Sequence, residues 1–139
     1  MTNRPEPPGG LSPPATASVK NGPVLDLPAL ARDICSRYRT EFPDEEERYG
    51  DAGNAWCVHD NQHLLNWAVG AVNGFVDFER EVAWLGRVLE AREFPVDRLA
   101  RNLEISAEVM RGPAKVDVRV AGVLEEGAAF VRERGTFLD

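Results

Sequence analysis

No run of apolar residues in this chain approaches the ~20 needed to cross a bilayer. The N-terminus is rich in proline and glycine, where a secretory leader would be basic and then apolar. Neither a membrane span nor a signal peptide is expected. Cysteine and histidine are scarce, two of each. Cys35 and Cys57 fall inside predicted helices and lack the density of a secreted disulfide scaffold, so reduced thiols in a cytoplasm are the expectation. Lysine is nearly missing, with Lys20 and Lys115 set against 14 arginines, a bias that fits a GC-rich, bacterial genome. Catalytic signatures are lacking too. There is no G-x-S-x-G, Walker A loop, G-x-G-x-x-G, C-x-x-C or EF-hand loop.

The charge that is present is acidic. The net value is −7, and the first 24 residues contribute +1 through Arg4, Lys20 and Glu6, which leaves −8 on the remainder. Nucleic acid is excluded as a partner, because binding it requires a clustered basic face. A length of 139 residues allows one domain, and apolar content of 43 % predicts that it has a core.

Residues 1–24 hold Pro5, Pro7, Pro8, Pro13, Pro14 and Pro23 among small residues, too little apolar surface to offset the entropy of ordering. A disordered tail is expected there, with the domain at 25–139. Asp26 and Pro28 open a first helix over about 27–41, with Leu27, Ala31, Ile34, Cys35 and Tyr38 at helical spacing. Pro43 and the acidic run Asp44, Glu45, Glu46 and Glu47 start one or two further turns, interrupted by Gly50 and Gly53; the run reads as a solvated helix start with no catalytic role.

Two longer helices follow, over about 54–73 and 75–92, and a third starts after Pro95, with Val96, Leu99, Leu103, Ser106 and Met110 aligned before Gly112 and Pro113 close it. In the second of them Phe75, Phe78, Val82, Leu85 and Leu89 form the core stripe. A last helix spans about 114–134, with a short strand at 116–120 as the competing assignment, since Val116, Val118 and Val120 also alternate with polar residues. The expected fold is all-α, a small antiparallel bundle of four to five helices.

One segment concentrates chemistry. Residues 56–67 contain both histidines, one cysteine and two of the three tryptophans. His59 and His63 sit one helical turn apart, the spacing by which helical pairs grip a metal, and a third ligand would come from Cys57, Cys35 or the 44–47 carboxylates. The local H-D-x-x-H resembles the H-E-x-x-H motif of zinc proteases over five residues, but Asp60 is a methylene shorter than the glutamate that must reach the metal-bound water.

At ~100° per residue, with Trp56 as origin, the apolar face centres on Trp67, Asp60, Leu64, Cys57 and Ala68. His63 lies on its edge, and His59 shares the polar side with Gln62 and Asn66. Asp60 then needs a partner, since an unpaired buried charge is costly; Arg32, Arg37 and Arg39 are candidates, with a tryptophan N–H or backbone N–H groups.

The leading expectation is a non-enzymatic regulatory or protein-interaction module with a protein partner, without a cofactor and without catalytic residues. The alternative is a helical sensory domain that binds a ligand through Trp56, Asp60, His63 and Trp67, or a metal ion through His59, His63 and Cys57. A ligand pocket would lie between the helices of 54–73 and 75–92 and contain His63.

Overall fold

The computed structural model describes residues 12–112 and 117–138. The expected tail over residues 1–11 and the alternation at Val116 lie outside the described residues. Within them the chain is an all-α bundle of five helices: α1 (Leu27–Glu41), α2 (Asp44–Val72), α3 (Phe78–Glu90), α4 (Val96–Arg111) and α5 (Val118–Arg134). No helix among the described residues is long and apolar enough to cross a membrane.

Asp26 caps α1, its Oδ1 accepting from Ala29 N–H at 3.1 Å, as Asp77 caps α3 and Asp117 caps α5. Capping by Asp117 decides the helix-or-strand question for Val118 and Val120, which are helical. The core is built from Leu27, Ile34, Leu65, Leu103, Leu124 and Val131 with their neighbours, and the closest packing is of α4 on α5 and of α1 on α2.

Ordered structure begins before residue 25, which corrects the expected tail boundary. β1 (Thr16–Ser18) and β2 (Val24–Asp26) pair antiparallel, with Ala17 opposite Leu25. Val19 and Leu25 are buried, and polar side chains of α2 and its C-cap reach across: Gln62 Nε2 donates to Pro14 O at 3.2 Å, and Asn73 Nδ2 to Ser18 O at 3.1 Å. Composition averaged over residues 1–24 hides the Val19 anchor, and Leu25 stands just past that boundary. Phe75, expected in the core stripe, is 86 % exposed in the loop before α3, since Asp77 starts that helix three residues later than anticipated.

α2 joins two expected helices across a kink at Gly50, whose φ of 59° and ψ of −152° belong to a region that is essentially glycine's alone. The kink redirects the segment of residues 44–49, an arm at the start of α2, relative to the rest of the helix. There Tyr49 lies against Gly53, where a Cβ would collide with the tyrosine Cβ.

Candidate functional site

Cys35 and Cys57 are joined as a disulfide between α1 and α2. The packing of these helices brings their Cα atoms to 6.1 Å, inside the range a bridge can span. The expectation of reduced thiols is overturned, and with it the ground for assigning a cytoplasm. Cys57 is also removed from the candidate metal ligands, because a bridged sulfur has no thiolate to offer.

The helical phase of α2 is likewise corrected. The buried positions are Asn61, Gln62, Leu64, Leu65, Ala68 and Val69, a face turned away from Trp56 and Trp67. Centring on the tryptophans gave weight to their large area, although an indole sits comfortably half in water. Leu65 and Val69 were the better guides.

Asn61 takes the central place. Its amide forms a reciprocal pair with Asn102 of α4 (Nδ2 to Oδ1 at 3.1 Å, and 2.8 Å in the other direction). Its Nδ2 also donates to Cys57 O at 3.0 Å, and Ser106 Oγ donates to Asn102 O at 2.8 Å. Every member of this buried network is thereby satisfied.

Partly buried rings form a stack along α2, with Trp67 and Trp84 packed against the edge of the core. Ring centroids run from Trp56 to His59 at 4.9 Å, His59 to His63 at 4.8 Å and His63 to Trp67 at 5.8 Å, and Trp67 meets Trp84 of α3 at 6.5 Å. His63 Nε2 is buried without a hydrogen-bond partner. Burial, and then the neighbouring His59, hold the His63 imidazole below its usual pKa, with Asp60 opposing them. His59 and His63 are thus brought together as the spacing predicted. Among the described residues, however, no group of three or more His, Cys, Asp or Glu side chains could hold a metal ion.

Asp60 is partly buried, and its Oδ1 lies 3.3 Å from His59 Nδ1. Arg37 is engaged by Asp33 and Arg39 by Glu46.

A cavity of about 110 Å³ lies between α1, α2, α3 and α4. Leu64, Leu85, Leu89 and Leu99 line it from the core, and Tyr49, Trp56 and Phe94 supply aromatic surface. Asp60, Asn61 and Asn102 add polar groups, and the exposed Arg92 also lines it. Trp56 and Asp60, two of the four residues expected to hold a ligand, belong to this wall; His63 and Trp67 do not. The His63 imidazole is stacked between His59 and Trp67 instead of lining this cavity.

No protein-family model, curated protein or solved structure matches the chain. Function has to be argued from this geometry alone.

The arm of residues 44–49, which carries Glu45 and Tyr49 to the cavity, is held in place by charge. Arg98 Nη1 donates to Glu45 Oε2 at 2.7 Å and its Nη2 to Asp44 Oδ1 at 3.1 Å, while its guanidinium covers the Phe42 ring at 4.4 Å. Tyr38 Oη donates to the same Glu45 oxygen at 3.1 Å. Burial, and then Glu45, push the Tyr38 phenol far above its ordinary pKa, so it stays a donor. The acidic run is partly built into the fold rather than simply solvated. Sequence reasoning missed Tyr49, Phe94 and Asn102, whose approach to one another depends on the Gly50 kink and on the packing of α4.

Proposed function

We propose that this domain is a ligand-binding module that takes a small organic molecule into the pocket beneath the 44–49 arm. The observation that carries this reading is the cavity itself. Well-packed cores leave few voids larger than a water molecule, whereas this one measures about 110 Å³ and is lined by leucines and aromatic rings with a few polar groups. Its size falls well below the ~300–1,000 Å³ of sites for drug-sized ligands and near that of an engineered apolar cavity of ~150 Å³ that binds benzene. A single ring or short apolar chain fits.

The test uses toluene. It should raise the melting temperature of the protein in a concentration-dependent way, because a ligand that binds only the folded state stabilises it by mass action. Leu89→Trp, which fills the cavity, should abolish the shift. Toluene leaving the melting temperature of the unaltered protein unchanged up to saturation would refute the reading.

A protein-interaction role is the second reading, favoured by one observation. Phe75 and Val24 are exposed at 86 % and 70 %. They flank the junction where Asn73 bonds the hairpin to the end of α2. Loss of a partner on Phe75→Ser, with toluene binding retained, would put this surface ahead of the pocket.

A further inference from the structure

We infer that the pocket selects a single ring or short chain that bears an acceptor oxygen, and that a side-chain N–H of Asn102 is the donor this oxygen meets. The inference rests on the pocket reading above and adds the polar group of the ligand.

Asn61 and Asn102 share one amide pair but use their capacity unequally. An asparagine amide carries two N–H donors and an oxygen with two acceptor positions. In Asn61, Nδ2 donates to Asn102 Oδ1 at 3.1 Å and to Cys57 O at 3.0 Å. Its Oδ1 accepts from Asn102 Nδ2 at 2.8 Å and from Ser106 Oγ at 3.4 Å. The Asn61 amide is fully used.

In Asn102 the pair occupies one N–H and one acceptor position. Because the amide is planar, the second N–H points away from Asn61, and among the described residues no acceptor takes it. Asn102 is 8 % exposed and lines the cavity, so this N–H is served from the cavity side.

The other polar groups of the wall offer no fixed donor to an occupant. Tyr38 Oη donates to Glu45, which also accepts from Arg98. Trp56 and Asp60 are engaged in contacts of their own, and Arg92 stands exposed. The Tyr49 hydroxyl rotates to give or to take a hydrogen bond, so it suits an oxygenated ligand without demanding one. The Asn102 N–H can only give. Set beside Leu64, Leu85 and Leu99, it favours an occupant with an oxygen over one that leaves it unpaired.

Cyclohexanone and toluene are single rings of equal heavy-atom count, and the first carries a carbonyl oxygen. Each is titrated into the isotope-labelled protein while the Asn102 side-chain N–H resonances are followed by nuclear magnetic resonance. Cyclohexanone should place one of the two Asn102 protons downfield of its position in the toluene complex, and the proton paired with Asn61 should differ less. Asn102→Asp keeps the shape and an acceptor for Asn61 but has no N–H. It should lower the affinity for cyclohexanone relative to toluene at least about fivefold, the worth of one hydrogen bond.

Toluene binding while cyclohexanone does not, or both Asn102 protons standing at the same positions in the two complexes, would overturn the inference and leave the pocket reading standing. An affinity ratio unaltered by Asn102→Asp would overturn Asn102 as the donor. Neither ring binding would overturn both readings. If Asn102→Asp does not fold, the Asn102 resonances of the unaltered protein decide.

Discussion

Asn61 is the residue on which the interior turns, and a helical wheel gives little sign of it. An asparagine on a helix ordinarily signals the solvent face; its burial here is offset by the partner on α4, 41 positions away, and by Cys57 O. Asn61→Ala should therefore destabilise the fold by roughly 1–3 kcal/mol, mostly through the Asn102 amide left without its partner. Denaturant unfolding checks this. Asn61→Ala combined with Asn102→Ala should cost less than the sum of the two single changes, as expected for groups that satisfy one another.

His63 gives a second prediction at this scale. Its folded pKa lies below the ~6.5 of a free histidine, so the unfolded chain takes up a proton that the folded one resists. Stability should fall as pH drops below about 6.5 toward that lowered value. His59 and Asp60 are the titratable neighbours that set the position of this window. The carboxylates held low by arginines, Asp44, Glu41 and Glu104, lose their contribution only in more acidic solution. His63→Gln should flatten the melting temperature across the window that opens below about pH 6.5. A parallel decline in both proteins would contradict the assignment.

Among the elements, caps and breakers were legible and phase was not. Asp26, Gly74 and Pro95 marked helix ends from the sequence alone, because a cap or a missing N–H acts locally. The rotation of α2 about its axis depends on what α1, α4 and the hairpin place against it, and that information is spread over the whole chain. The same holds for the cysteines. Their pairing follows from the way α1 lies on α2, and nothing in a separation of 22 residues announces it. Closing a loop of that length constrains the unfolded chain by about 3 kcal/mol. Reduction with dithiothreitol should accordingly lower the melting temperature, and two alkylatable thiols should appear only after reduction. Two thiols reacting in the untreated protein would show that the bridge is absent in solution.

At the scale of the molecule, the all-α bundle was evident from periodicity, whereas the cavity was not. It is assembled from four helices and the loop before α4, and its wall depends on one glycine conformation. The part of the candidate site that the sequence did expose, Trp56 and Asp60, was found because aromatic and charged residues crowd one segment. The part it hid, Tyr49 with Asn102, needed the kink and the long-range amide pair.

The arm of residues 44–49 ties the pocket to the fold through Arg98, so binding and stability should respond together. The most direct test of a ligand site here is to locate a bound probe by nuclear Overhauser effects between toluene and the isotope-labelled protein. Contacts to Trp56, Leu64 and Leu89 are predicted, weakened by Leu89→Trp. Contacts confined to the exposed Phe75 and Val24, with none to those three residues, would contradict the account.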